Sequence, residues 1–133
     1  MKLISIKNNY SEVEILGCFL KSFKVNSGSN KYELLGYDEK NHAMSFIMAP
    51  WANRIKDGKL ECSKGIFDLL ASNPFEIQHA IHGTAIFSDW DLDESSDSSV
   101  LISTKLSEPW PYEGKVELKI YLDGPSLRQE LLI

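Results

Sequence analysis

Apolar residues recur along this chain with a period of two far more often than 3.6. Val116, Leu118, Ile120 and Leu122 alternate with Glu117, Lys119 and Tyr121, the pattern of a strand with one face buried and the other wet. Val13 and Ile15, then Phe19, Phe23 and Val25, form two shorter runs, with Gly17 between them marking a bulge or tight bend. The polar cluster at 26–30 predicts a turn, and 32–37 then reads as a returning strand. Residues 59–62 and 66–69 flank Ser63-Lys64-Gly65, which predicts a hairpin. After Trp90, residues 91–93 run into a polar turn over 94–99, and 100–106 follow as a strand. Gly124-Pro125 then turns the chain into a last strand carrying Leu127, Gln129 and Leu131. No amphipathic helix of a dozen residues interrupts this series. Many short strands separated by Gly, Asn and Ser turns predict an all-β fold, an antiparallel β-sandwich with few or no helices.

With 133 residues, the chain is one domain spanning 1–133. Its net charge of −5, with lysines scattered among acids, argues against nucleic acid and against an anionic membrane surface as partners. No apolar run approaches a membrane span or a signal-peptide core, so the cytoplasm is the expected location. Cys18 and Cys62 lack any metal-binding spacing and are expected to be free thiols. The last residues, Leu131-Leu132-Ile133, stand inside an apolar strand pattern. Such a strand needs a neighbour to pair with, so the sandwich is expected to be incomplete and the chain part of something larger.

Chemistry-bearing residues are few. His42 falls in a polar turn, and His79 and His82, three apart in an extended segment, would face opposite sides, which excludes a shared metal. There is no GxSxG elbow and no glycine-rich phosphate loop. What remains is hydroxyl-directed chemistry: Asn53 as donor and acceptor, Arg54 as a fork of donors, and His82 in either role. Trp51, Trp90, Trp110 and Tyr112 supply flat apolar faces. Planar polar groups beside aromatic walls are what a sugar requires, with hydroxyls bonded at the edge and C–H faces stacked.

The order of blocks carries more information than any one of them. Pro50-Trp51-Ala52-Asn53-Arg54-Ile55-Lys56-Asp57-Gly58 is followed by Ala80-Ile81-His82-Gly83, by Asp89-Trp90, and by Trp110-Pro111-Tyr112-Glu113-Gly114-Lys115-Val116. This series resembles the aldose 1-epimerase (galactose mutarotase) family. The resemblance implies a galactose mutarotase-like supersandwich that binds a hexose in an open cleft and interconverts its α and β anomers. In that chemistry a carboxylate base takes the C1 hydroxyl proton while a histidine acid protonates the ring oxygen, with no metal or organic cofactor. It further implies that Asn53 and Arg54 contact the sugar and that His82 stands near the reacting end; Trp51 and Trp90 are the flat faces expected to line the site beside them. The stretch Thr84-Ala85-Ile86-Phe87-Ser88 after His82-Gly83 is milder than the family's aromatic-rich one.

The family's general-acid histidine and glutamate base belong to later blocks of a protein about twice this length. Neither role is assignable here, so the chain is expected to hold half of a sugar site and to need a complementary half for catalysis. Two other readings stand beside this one. The chain is then a non-catalytic carbohydrate-binding module, or an interaction protein that dimerises through the strand from Leu127 to Ile133.

Overall fold

The computed structural model describes residues 2–38, 42–43, 45–70 and 78–133. Strands β1 (Ile4–Lys7), β2 (Ser11–Leu16), β3 (Phe19–Ser27) and β4 (Asn30–Leu35) form one antiparallel sheet in chain order. Short strands follow: β5 (Tyr37–Asp38), paired with β6 (His42–Ala43), and β7 (Ser45–Phe46), which joins the first sheet against β3. Next come β8 (Arg54–Ile55), the hairpin of β9 (Lys59–Cys62) and β10 (Gly65–Asp68), and β11 (Ala80–Ile81), which pairs with β8. The second large sheet is β12 (Asp91–Ser95), β13 (Ser99–Lys105), β14 (Lys115–Asp123) and β15 (Ser126–Leu132), again antiparallel and in order. The all-β, antiparallel architecture expected from the period-two pattern is present. Among the described residues the helical segments are single 3-10 turns, and no helix is long and apolar enough to cross a membrane.

The two large sheets share one core. Ile6, Val13, Ile15, Leu20 and Phe23 from the first meet Val100, Ile102, Val116, Leu118, Ile120 and Leu122 from the second. Alternation makes this possible, since β2 and β14 bury every second residue without a break. The sheets are also tied at one end. Lys7 N–H donates to Asp97 O at 2.7 Å, and the Asn8 amide and Ser11 hydroxyl both donate to Gly124 O, at 2.8 and 3.0 Å.

Local chemistry sets the joints. Gly17 takes φ 57° in the β2–β3 turn, where the sequence placed a bend. The register of β3 on β4 slips between Phe23 and Lys24, and Glu33 accepts from the Phe23 N–H at 2.8 Å and the Leu35 N–H at 3.0 Å. The polar turn expected over 94–99 is shorter than its composition suggests. Glu94 and Ser95 belong to β12 and Ser99 to β13, because cross-strand pairing with Leu101, Val100 and Tyr121 outweighs low strand propensity. His42 lies in the two-residue strand β6 and not in a turn. Both cysteines are free, and burial pushes the Cys18 thiol up to about 11.

Ile120 is fully buried and central in the shared core. Ile120→Ala is therefore expected to lower the unfolding free energy by about 2–5 kcal/mol. Leu92→Ala, on the exposed edge strand β12, should stay within roughly 0.5 kcal/mol of the parent. Urea denaturation of the two variants measures both.

Candidate functional site

The segment from Pro50 to Gly58 forms a tight corner. Asn53 (φ 60°), Asp57 (φ 53°) and His82 (φ 64°) are the described non-glycine residues with positive φ, and all fall in this small unit. Left-handed backbone is costly for a residue with a side chain, and such positions cluster where geometry is functionally constrained. Two strands hold the corner together. β8 pairs with β11 through Ala80 opposite Ile55 and Ile81 opposite Arg54, and the His82 N–H donates to Asn53 O at 2.9 Å. Asn53, Arg54 and His82, separated by almost thirty residues of chain, are thereby brought side by side.

His82 departs from the extended geometry assumed for residues 79–82. Its left-handed φ turns the chain, and the two histidines end in different surroundings. His79 Nδ1 accepts the Asp57 N–H at 3.0 Å and so braces the 56–58 turn. The His82 ring packs edge-on against Phe46 of β7, with centroids 5.4 Å apart. Burial pushes the His82 imidazole below its ordinary value, and the Arg54 guanidinium nearby pushes in the same direction. Nδ1 of His82 is buried without a hydrogen-bond partner. With Nδ1 unpaired, the neutral tautomer with its hydrogen on Nε2 leaves only an acceptor unsatisfied, the cheaper of the two cases. Among the described residues no group of three or more His, Cys, Asp or Glu side chains is arranged to hold a metal ion.

Gly83 fixes the position of this corner. At φ 79° it lies so close to the backbone of Ala49 that a Cβ there would overlap the Ala49 carbonyl and come within 2.8 Å of Pro50 N. The same Ala49 O accepts from the Ala85 N–H at 3.0 Å. Ala85 O in turn accepts from the Trp90 indole at 2.9 Å.

Trp90 is thus not an aromatic wall of the site. It is 5% exposed, sits in the shared core, and uses its indole N–H to anchor the 83–85 segment. An aromatic residue near a candidate sugar motif carries no mark in sequence that separates wall from core. Trp51 is only half-buried and stacks on Trp110 with centroids 5.5 Å apart and planes 28° from parallel. Tyr112 continues the row, 5.7 Å from Trp110, under the Lys64 ammonium at 4.8 Å. A cleft of about 640 Å³ beside this row is lined by Phe67, Glu108, Trp110, Tyr112 and Glu113. It meets the row at Trp110 and Tyr112 and is not lined by Asn53, Arg54 or His82. Two contributions had no signal in the sequence: Phe46, which arrives from another strand, and the Thr84 hydroxyl, buried without a partner.

Known structures share this fold. A putative aldose 1-epimerase from Escherichia coli K12 superposes with a TM-score of 0.82 at 18% identity, over 98% of this chain and 45% of that one. A galactose mutarotase-like protein from Lactobacillus casei gives 0.78 at 20% identity, over 98% and 43%. A GalM/aldose epimerase homologue from Caenorhabditis elegans gives 0.74 at 19% identity, over 91% and 42%. The architecture is therefore that of the galactose mutarotase-like β-sandwich, and this chain spans less than half the length of those proteins. The sequence model of the aldose 1-epimerase family matches residues 2–131, so the chain belongs to that family. Among curated proteins no relative matches.

Two outcomes follow from this geometry. Gly83→Ala should cost roughly 2 kcal/mol or more, since left-handed strain adds to the overlap with Ala49; chemical denaturation reads the loss. His82 should titrate below the ordinary 6.5. Because the unfolded chain then binds the proton first, stability contributed by neutral His82 is complete above that pH and is lost as pH falls through the lowered folded value. NMR titration of the imidazole, together with unfolding midpoints below and above pH 6.5, checks the sign.

Proposed function

We propose that this chain presents the hexose-binding side of an aldose 1-epimerase site. Asn53 and Arg54 hydrogen-bond ring hydroxyls, His82 donates from Nε2 near the anomeric end, and Trp51 forms the apolar wall. The observation that carries this reading is the β8–β11 ladder, which holds Asn53 and Arg54 against His82 at a strained corner beside the Trp51–Trp110 stack. Family membership supports the same chemistry.

The roles follow from what each group can do. Arg54 has a planar fork of donors that suits vicinal hydroxyls, while Asn53 both gives and takes. His82, kept neutral by burial and by Arg54, donates without adding charge to a site for an uncharged ligand. Opening a pyranose ring needs a base at the C1 hydroxyl and an acid at the ring oxygen. In this reading neither role is assigned to a residue of this chain, so the chain binds the hexose and a complementary part supplies the proton transfer.

The test pairs binding with catalysis. Calorimetric titration with galactose or glucose should show binding, and Arg54→Ala should weaken it about tenfold, the loss of a charge-assisted hydrogen bond. Polarimetry on freshly dissolved α-glucose should show no acceleration by the chain alone. Absence of binding, or indifference to Arg54→Ala, removes the proposal. An acceleration abolished by His82→Ala would show that the chain carries the whole machinery.

A further inference from the structure

Among the described residues, five hydroxyl side chains are buried, and four of them are bonded: Ser11 to Gly124 O, Ser22 to Glu33, Ser103 to Asp93 and Thr104 to Asp89 O. Thr84, 6% exposed, is the fifth, and its hydroxyl meets no partner. It holds the N-cap position of the 85–87 turn, where a threonine oxygen ordinarily accepts from the turn's N–H groups, yet makes no such bond.

The other unpartnered buried atoms, Trp51 Nε1 and His82 Nδ1, belong to the same corner. All three side chains spring from two backbone segments locked together where Gly83 bridges to Ala49. His82 and Thr84 flank that glycine and Trp51 follows Pro50, so each Cα lies within about 7 Å of chain from the contact. The three atoms are closed to solvent within this chain alone. Nothing arriving from outside, whether a sugar or a further stretch of protein, reaches them. Their partner is therefore enclosed, and groups of this kind are satisfied by internal water, which makes about three hydrogen bonds.

We propose that one enclosed water joins Trp51 Nε1, Thr84 Oγ1 and His82 Nδ1, and that Thr84 is thereby a positioning residue for His82. The chemistry of the three groups fits a single water. The indole only donates, the threonine hydroxyl has a hydrogen that no protein acceptor takes, and neutral His82 offers a lone pair at Nδ1. With Trp51 and Thr84 both donating, the two lone pairs of the water are used. It has none left to accept a hydrogen from Nδ1, and it donates to that nitrogen instead. The ring hydrogen is held on Nε2, the atom given to the hexose above. The inference rests on that assignment for its effect on binding alone, since the state of the ring is read without sugar.

Nitrogen-resolved NMR of the indole and imidazole groups tests the proposal. In the parent, Trp51 Nε1–H should show cross-relaxation with a long-lived water, and His82 should carry its hydrogen on Nε2. Thr84→Val keeps the shape of the side chain and frees one lone pair of the water. The ratio of Nε2–H to Nδ1–H rings should then fall about fivefold, the worth of one neutral hydrogen bond. The urea midpoint should fall with it, whereas removal of a hydroxyl bonded to nothing would leave the midpoint unchanged or raise it. Thr84→Ser should restore both readouts. In calorimetric titration with galactose or glucose, Thr84→Val should weaken binding about fivefold and Thr84→Ser should recover it. A parent that binds neither sugar removes the proposed function and leaves the ring-state result standing. The absence of a long-lived water at the Trp51 indole overturns the proposal, and this measurement needs no variant to fold. So does a His82 ring indifferent to Thr84→Val, or a serine variant that behaves as the valine one.

Discussion

Gly83 rests against the carbonyl of Ala49 at a distance that leaves no room for a side chain, and the candidate site hangs on that approach. Through it Ala49 O reaches the Ala85 N–H, and Ala85 O reaches the Trp90 indole, which is itself packed in the shared core. A run of hydrogen bonds thus joins the strained corner to the sandwich. The left-handed backbone at Asn53 and His82 persists because these contacts and the β8–β11 ladder determine it from both sides. Remove the glycine and the corner loses its seat, even though no candidate sugar contact has changed.

The sandwich supplies the rigidity this arrangement requires. β2 and β14 turn every second residue inward, and the facing sheets close over Val13, Ile15, Leu118 and Ile120. Aromatic side chains divide the labour. Trp90 gives its face to the core and its indole N–H to the 83–85 segment, while Trp51 stacks on Trp110 and keeps part of its surface open. The neighbouring Arg54 and the surrounding apolar groups keep His82 neutral near physiological pH.

Much of this was legible in the sequence where the physics is local. Period-two alternation marked β14 and β15, Gly17 and Gly124 marked turns, and the Ser63-Lys64-Gly65 cluster marked the β9–β10 hairpin. Ordered motif blocks singled out Asn53, Arg54 and His82, and the β8–β11 pairing brings their backbones together. Non-local effects were hidden. Strand pairing drew Glu94, Ser95 and Ser99 out of an apparent polar turn, and core packing took Trp90 away from the site. The positive φ of His82 also had no sequence signal, since glycine and not histidine ordinarily marks such a position.

The central claim is that His82, held beside Asn53 and Arg54, meets a hexose through Nε2–H. Its most direct test is the imidazole nitrogen spectrum of the chain with and without saturating galactose or glucose. The account predicts a neutral ring with its hydrogen on Nε2 and an Nε2 resonance that moves on sugar addition, while His79, whose Nδ1 is occupied by the Asp57 N–H, stays in place. A hydrogen on Nδ1, or a His82 signal unmoved while sugar binds elsewhere, would contradict it.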